Sequence, residues 1–270
     1  MAELSLSVGF IGVGAMGGSI AAGLCRSGTL DGAQLRVCDL DSERVATLER
    51  EYGMTGFASA AELVASEPDA LVLAVKPQVL FSTLEGVAQA LDGRLVVSIA
   101  AGVTIAQLEA ALPTSRVVRV MPNLPVAVLS GATAIAQGSR ASEQDVELVR
   151  QLFCALGSAR VMREDQLDAA GVVSGCGPAF FALFVDELTR AGISAGLPAP
   201  DCREMLLSTM RGVATQLLDS GDHPRAYMER VSSPGGTTIE ALKAMEASLF
   251  WAAEDAVQAA LERTAELAGR

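Results

Sequence analysis

Short apolar runs alternate with longer amphipathic segments through the first 163 residues of the chain. The runs are rich in Val, Ile and Leu and predict β-strands at residues 5–12, 33–39, 70–75, 94–100 and 115–121. Near-continuous apolar runs are typical of strands that are covered on both faces. The segments between them have the length and polarity of helices, as at Met16–Ser27, Ser42–Glu51 and Pro77–Ala90. This alternation predicts an α/β domain with a mostly parallel, doubly wound sheet over residues 1–163.

The pattern changes at Glu164, after which helical periodicity predominates to residue 270. The predicted helices are Gln166–Val173, Pro178–Ala195, Pro200–Ser220, Thr238–Ser248 and Phe250–Leu267. The second of them is apolar on nearly every side, and such a helix must be buried. Because a helical region of this size can bury few such helices alone, we predict that two subunits bury them against each other. Residues 164–270 are therefore expected to form an all-α dimerisation domain.

Charge and composition exclude several classes of partner. The formal net charge of −12 argues against a nucleic-acid or anionic-membrane partner. No stretch approaches about 18 uninterrupted apolar residues, the length that a membrane span needs, and no basic region precedes the first apolar run, as a secretory signal requires. The five cysteines form no Cys-x-x-Cys pair, and a single histidine, His223, is too few for a zinc site. We therefore expect reduced thiols, no metal and a cytoplasmic location.

A glycine motif follows the first predicted strand. Gly12, Gly14 and Gly17 form a G-x-G-x-x-G pattern, and Ala15 and Met16 lie between them at the start of a helix. The first glycine permits the tight turn, the second lets the backbone approach a pyrophosphate, and the third lets helix and strand pack closely. The helix N-terminus then faces the anion. The motif predicts a Rossmann-type domain that binds NAD or NADP; the alternative is a glycine-rich turn without a ligand.

The second predicted strand ends at Asp39. An acid at this place usually accepts from the adenosine ribose hydroxyls and repels a 2′-phosphate, which favours NADH. The alternative is a turn aspartate that caps the next helix. Arg44 could reach a phosphate instead, although an arginine on a solvated helix face is the more common case.

Two further strand ends are candidates for the cofactor site, because ligands of open α/β sheets bind outside the carboxyl ends of the strands. The first has a lysine before a helix-starting proline, which is also a common surface arrangement. The residues concerned are Ala74, Val75, Lys76 and Pro77 at one end and Ala100, Ala101 and Gly102 at the other.

Six segments taken together resemble pyrroline-5-carboxylate reductase, in order from Val8 to Leu267: "GFIGVGAMG", "LAVKP", "SIAAGVTI", "RVMPNLP", "GVVSGCGPAFF" and "VSSPGGTTIEAL". The resemblance implies a Rossmann-type domain that binds NADP(H) or NAD(H), followed by a helical domain that interlocks two subunits. Such dimers often assemble further into decamers. The implied reaction is hydride transfer to the C=N carbon of (S)-1-pyrroline-5-carboxylate, which gives L-proline.

The resemblance also implies functional residues. The cofactor is lined by Gly12 to Gly17, Ala74 to Pro77 and Ala100 to Gly102, with Glu164 nearby. The substrate is held by Ser232, Ser233, Gly235, Gly236, Thr237 and Thr238.

Three positions depart from the family pattern. Cys176 stands where the family usually has serine, and alanine at 60 or 61 replaces an asparagine. Asp39-Leu40 replaces a pair that many relatives have as Asn-Arg or as small polar residues, which puts the usual NADPH preference in doubt.

The chemistry of an imine with a carboxylate assigns roles to the loop after Val231. The N–H groups of Gly235, Gly236 and Thr237 open a helix and suit a carboxylate. Thr238 is the candidate catalytic residue, as a group that orients the ring nitrogen; the alternative is a threonine that satisfies a helix start. We expect the loop to meet the nicotinamide only in an assembled dimer.

Two other functions stay open. A related imine or β-hydroxyacid dehydrogenase has the same architecture, but those that act on alcohols typically use a lysine of a C-terminal helix. The only lysine here besides Lys76 is Lys243. A dinucleotide-sensing dimer without turnover predicts a degraded substrate loop, whereas Ser232–Thr238 is intact.

Overall fold

The computed structural model describes residues 6–267, which divide into two compact units. Among these residues, one unit comprises 6–176 together with 261–267, and the other comprises Gly177–Ala260. The break in compactness therefore comes later in the chain than the domain boundary predicted after residue 163.

The described part of the first unit holds an eight-stranded sheet in the order β3-β2-β1-β4-β5-β6-β7-β8. Its strands are β1 (Val8–Ile11), β2 (Leu35–Cys38), β3 (Thr55–Gly56), β4 (Ala70–Leu73), β5 (Leu95–Ser98), β6 (Arg116–Met121), β7 (Gly131–Gln137) and β8 (Gly157–Val161). Only the β6–β7 pair is antiparallel among these neighbours. The predicted Rossmann-type, mostly parallel sheet is confirmed.

The helices of this unit are α1 (Ala15–Arg26), α2 (Ser42–Tyr52), α3 (Ala60–Ala65), α4 (Pro77–Glu85), α5 (Ile105–Ala111), α6 (Glu143–Cys154) and α7 (Leu167–Ala170), followed by a π-helix at Gly171–Cys176. Side chains alternate between two cores along the central strands. Phe10 and Val72 belong to one cluster, and Ile11, Leu71 and Leu73 belong to the other. Burial on both faces is why these strands are continuously apolar in sequence.

A buried carboxylate fixes the start of α6. Asp145 accepts from the N–H and the hydroxyl of Ser142 at 2.8 and 2.7 Å and forms an ion pair with Arg116. Burial opposes ionisation, but these hydrogen bonds and the arginine hold the pKa of Asp145 below its ordinary value.

The second unit consists of α8 (Gly177–Ser194), α9 (Ala199–Ser220), α10 (Pro224–Val231) and the greater part of α11 (Thr237–Leu267). Helices α8 and α9 pack closely at Gly192, where a Cβ would lie 2.4 Å from the Cys202 sulfur. Large apolar side chains of this unit are exposed in the single chain, including Phe181 at 63% and Trp251 at 64%. The two helices predicted at Thr238–Ser248 and Phe250–Leu267 are one continuous helix.

One helical stretch, Glu164–Ser194, is long and apolar enough to cross a membrane by length and composition alone. Its mean hydropathy is 1.5, and 17% of its most apolar window is buried in the single chain. Helices that are buried between protein subunits have the same composition.

Candidate functional site

The predicted cofactor segments follow neighbouring strands at one edge of the sheet. Ile11 pairs with Cys38 and with Leu73, and Leu73 pairs with Ser98. The next residues of these four parallel strands therefore lie side by side: Gly12, Asp39, Ala74 and Ile99. The structure thus brings the glycine motif, Asp39 and the segments at 74–77 and 100–102 to the same edge, where open α/β sheets bind their ligands.

Two glycines of the motif have no room for a side chain. Gly12 has a φ of +95°, and a Cβ there would lie 2.9 Å from the carbonyl carbon of Ala74. A Cβ on Gly17 would lie 2.2 Å from the Gly12 carbonyl oxygen. The turn and the approach of α1 to the sheet therefore both require glycine. This is the close backbone packing that a pyrophosphate cradle needs.

The N-terminus of α1 has the charge pattern of an anion site. Gly14 is the residue before the helix and contributes no side chain, and no acidic residue lies in the first turn. Ala15 is exposed and Met16 is half-buried. The positive end of the helix dipole is therefore not neutralised by its own sequence, and the residues present fit a dinucleotide pyrophosphate.

Asp39 is tied to the glycine loop. One of its carboxylate oxygens accepts from the Val13 N–H at 2.7 Å, and the other accepts from the Asp41 N–H at 2.9 Å. The cap of α2 is Asp41, whose side chain accepts from the N–H groups of Glu43 and Arg44. The alternative that Asp39 caps this helix is therefore wrong.

An open cleft of about 370 Å³ lies beside the glycine loop and the start of α2. It is lined by Val13, Gly18, Asp41, Glu43, Arg44, Thr47 and Leu48. Arg44 forms an ion pair with Asp41, with 3.0 Å between Nε and Oδ2. The arrangement offers a space of ligand size next to the predicted adenosine site.

The segments at 74–77 and 100–102, which follow the other two strands, differ in which of their residues are exposed. Lys76 is exposed and precedes Pro77, the first residue of α4. Gly102 has a φ of +76°, and nothing lies within 4 Å of the position that a Cβ would take. Ala100 is buried and donates its N–H to the Ser98 hydroxyl, whereas Ala101 is exposed.

Glu164 lies in an ion cluster around the buried Arg119. Its Oε1 accepts from the Ile105 N–H at 2.6 Å and from the Arg119 guanidinium at 3.1 Å. Arg119 is only 3% exposed and also contacts Asp168 at 3.2 Å. Glu164 thus fixes the start of α5, which follows the Ala100–Gly102 segment closely. Its predicted contact with the cofactor stays a prediction.

Sequence reasoning missed Arg119 and Asn123. Arg119 is a charge inside the apolar strand "RVVRVM", a pattern that indicates a buried counterion. Asn123 is 7% exposed, donates to the Ser174 carbonyl at 2.9 Å and accepts from the Ala132 N–H at 2.8 Å. It thereby anchors the π-helix that ends at Cys176.

Metal and thiol chemistry have little support in the described residues. Within residues 6–267, no group of three or more His, Cys, Asp or Glu side chains is placed to hold a metal. Burial, with Asp39 adding to it, raises the pKa of the Cys38 thiol to about 11 against the hydrogen bond from Gly12. His223 accepts from the Arg225 N–H at 3.2 Å as the cap of α10.

The predicted substrate residues form a tight turn between α10 and α11. Gly235 has a φ of +68°, and the Gly236 N–H donates to the Ser233 carbonyl at 3.0 Å. A Cβ on Gly236 would lie 2.2 Å from the Ser233 hydroxyl oxygen. The Gly236 N–H is therefore used inside the turn, which removes it from the donors expected for a carboxylate.

The same turn contains donors for a ligand. The hydroxyl oxygen of Ser232 is buried and has no hydrogen-bond partner among the described residues. An unpaired buried hydroxyl costs about 1–3 kcal/mol, so this oxygen is an unsatisfied polar atom of the single chain. Thr237 and half-buried Thr238 begin α11, and the first N–H groups of a helix have no partner within it.

Comparisons with known proteins match both halves of the chain. The pyrroline-5-carboxylate reductase dimerisation model matches residues 164–267, and the model described as "NADP oxidoreductase coenzyme F420-dependent" matches residues 7–102. The pyrroline-5-carboxylate reductase of Pseudomonas aeruginosa is 39% identical over 265 residues, which cover 97% of this chain and 96% of that protein.

Two solved structures agree over nearly the whole length. A pyrroline-5-carboxylate reductase of Coxiella burnetii has a TM-score of 0.92 and 29% identity and covers 98% of this chain and 99% of its own. A pyrroline carboxylate reductase of Plasmodium falciparum with NADP bound has a TM-score of 0.86 and 27% identity, with coverages of 99% and 100%. The chain belongs to the pyrroline-5-carboxylate reductase family.

Proposed function

We propose that this chain reduces (S)-1-pyrroline-5-carboxylate to L-proline with NADH or NADPH. The observation that carries the proposal is the end-to-end similarity to pyrroline-5-carboxylate reductases, 39% over 97% of the chain in one relative. An intact substrate loop and a glycine cradle with no room for side chains support it.

When bound, NAD(P)H supplies a hydride to the C=N carbon. Hydride addition together with one proton at the ring nitrogen gives the ring amine, a second proton from solvent gives the ammonium form of L-proline, and NAD(P)⁺ is released, so atoms and charge balance. A protonated imine accepts hydride readily, and the protein therefore needs no strong acid. Its residues have to bind both molecules, orient the reacting carbon atoms and exclude water.

The cofactor half of the site is proposed to consist of residues 12–17, Asp39, 74–77 and 100–102. The glycine loop and the start of α1 would hold the pyrophosphate, because the helix dipole and the N–H groups favour an anion there. Glu164 is proposed to act on this half by holding the start of α5 through the Ile105 N–H.

The imine half is proposed to consist of Ser232, Ser233, Gly235, Thr237 and Thr238. The N–H groups at the start of α11 would bind the substrate carboxylate, and the unpaired hydroxyl of Ser232 would reach the substrate after its side chain turns out of its buried position. Thr238 would orient the ring nitrogen. The hydroxyl is a poor acid, so its role is orientation rather than proton supply.

We propose a functional division at residues 163 and 164, which the start of the dimerisation model at residue 164 supports. The assembly is proposed to be at least a homodimer, and the family resemblance implies a decamer as a larger form. Exposed apolar side chains such as Leu218, at 83%, support association. The stretch Glu164–Ser194 would then face protein rather than lipid, and the location would be cytoplasmic.

A lysine-dependent dehydrogenase is the less favoured reading. The Lys243 ammonium forms an ion pair with Glu240 at 2.8 Å, and both side chains are 65% exposed. A lysine that is exposed and already paired with a carboxylate is not placed as a catalytic amine.

The test is oxidation of NADH or NADPH by the purified chain with pyrroline-5-carboxylate, against a β-hydroxy acid with NAD⁺ as the comparison. Imine-dependent oxidation with no activity on the hydroxy acid supports the proposal. Activity on the hydroxy acid alone would assign the chain to the other class. Sedimentation in detergent-free buffer tests the association state in the same preparation.

A further inference from the structure

The end of β2 presents a fixed negative charge. The Asp39 carboxylate has each oxygen held by a backbone N–H, from Val13 at 2.7 Å and from Asp41 at 2.9 Å. These two hydrogen bonds restrict rotation of the carboxylate. Each oxygen still has a second acceptor site, so both could take a hydroxyl proton from a ribose.

The arginines of β2 and of the start of α2 already have polar partners. Arg44 is paired with Asp41 at 3.0 Å, and its Nη1 lies 3.4 Å from the position that a Cβ would take on Gly14. The guanidinium therefore lies over the glycine loop, where a pyrophosphate is expected. On β2, Arg36 donates to the carbonyl of Ser66.

The neighbouring side chains strengthen the negative field. Asp41 and Glu43 line the adjacent cleft, and Arg44 offsets only one of the two charges. Leu40, directly after Asp39, is fully exposed at 107% and offers an apolar surface but no donor for a phosphate.

We propose that this chain selects NADH over NADPH and that Asp39 is the residue that discriminates at the ribose 2′ position. The inference rests on the proposed NAD(P)H-dependent function. NADH offers hydroxyl donors to the carboxylate. NADPH brings a phosphate of about −1.5 to −2 charge against it, and repulsion is strong where a charge is held in place. The chain would thus differ from the relative whose structure contains NADP.

Binding of each cofactor is measured by calorimetry without the imine, on the wild-type chain and two variants. Asp39→Asn removes the charge at a similar side-chain size but can accept from only one of the two backbone N–H groups, so the ratio of the two affinities is compared rather than either affinity alone. Glu51→Gln makes the same charge change on an exposed residue in the last turn of α2, roughly 14 Å along the helix from its first residue. The wild type is expected to bind NADH at least about tenfold more tightly than NADPH. In Asp39→Asn the ratio should fall to about threefold or less, and Glu51→Gln should keep the wild-type ratio.

Equal binding by the wild type, or an unchanged ratio in a folded Asp39→Asn variant, overturns the inference. If Asp39→Asn does not fold, the inference is tested by the ratio of NADH to NADPH binding in the wild type and by the Arg44→Gln variant. Arg44→Gln should weaken the binding of both cofactors equally. A selective loss of NADPH binding would show that Arg44 contacts the 2′-phosphate.

Turnover of the imine, measured separately, distinguishes the two proposals. NADH-selective binding without imine reduction contradicts only the proposed reaction. Equal binding with reduction contradicts only the selectivity, and no binding of either cofactor contradicts both.

Discussion

Removal of the Glu164 carboxylate should mainly lower the folding stability of the first unit, and it should not act directly on imine reduction. Arg119 is 3% exposed, and loss of a partner from a buried ion pair typically costs about 3–5 kcal/mol. Asp168 remains 3.2 Å from the guanidinium, and Glu164 is itself 33% exposed. We therefore expect Glu164→Ala to lower the free energy of unfolding by about 2–3 kcal/mol, below the range for a fully buried pair.

Glu164→Gln separates charge from hydrogen bonding. Its amide oxygen can still accept from the Ile105 N–H and from Arg119, so the loss should be about 1 kcal/mol. Asp165→Ala is the matched control, because the neighbouring ion pair of Asp165 with Arg163 has side chains 66% and 75% exposed. A pair this exposed contributes little to stability, because water and salt screen it.

Urea unfolding and cofactor calorimetry on the three variants provide the test. The expected order of stability is wild type and Asp165→Ala, then Glu164→Gln, then Glu164→Ala. If Glu164→Ala unfolds like the wild type but binds cofactor much more weakly, Glu164 is a direct cofactor contact. The positioning role through α5 would then be refuted.

Three further variants test other parts of the site and of the fold. Thr238→Ala should lower kcat on the imine more than it weakens cofactor binding; an unchanged kcat would contradict the contact with the ring nitrogen. Gly17→Ala should abolish cofactor binding because its Cβ would lie 2.2 Å from the Gly12 carbonyl oxygen, whereas Gly86→Ala, with nothing within 4 Å, should bind normally. Asp145→Asn should lose stability at neutral pH. The folded-state pKa of Asp145 is depressed, so its contribution is fully present above the ordinary value of 3.8 and is lost as pH falls through the folded pKa. The stability difference from wild type should therefore vanish in acid unfolding; a constant difference would contradict this assignment.

The central strands could be predicted from the sequence because their burial on both faces leaves a direct signal. Val72 and Leu73 face opposite cores, so every position of β4 has to be apolar. The sequence does not predict strand β7, "GATAIAQ", because alanine and glycine have little strand propensity and the segment shows no clear alternation. Strand β8 carries Ser158 and Arg160 at exposed positions, so its sequence also gives only a weak signal for a strand.

The site was predictable in its position but not in its contacts. Ligands of open α/β sheets bind outside the carboxyl ends of the strands. On this basis the sequence correctly placed the glycine motif, Asp39 and the segments at 74–77 and 100–102 at one edge of the sheet. The bond from Val13 to Asp39 joins residues 26 apart, and the pair of Arg119 with Glu164 joins residues 45 apart. Such pairings depend on the register of whole strands, and local patterns do not encode them. The lone charge of Arg119 in an apolar strand was the available signal.

The turn before α11 illustrates the same limit. Its proline and glycines indicate a broken helix, and α10 does end at Val231 before α11 begins at Thr237. The use of the Gly236 N–H inside the turn depends on the backbone geometry around Ser233, which composition does not reveal. The buried hydroxyl of Ser232 is likewise a property of the fold.

The most direct test of the central claim is the initial rate of reduced-nicotinamide oxidation by the purified chain with pyrroline-5-carboxylate, with L-proline identified as the product. The account predicts imine-dependent turnover, with a higher kcat/KM for NADH than for NADPH. Tight cofactor binding without any proline formed from either cofactor would contradict it.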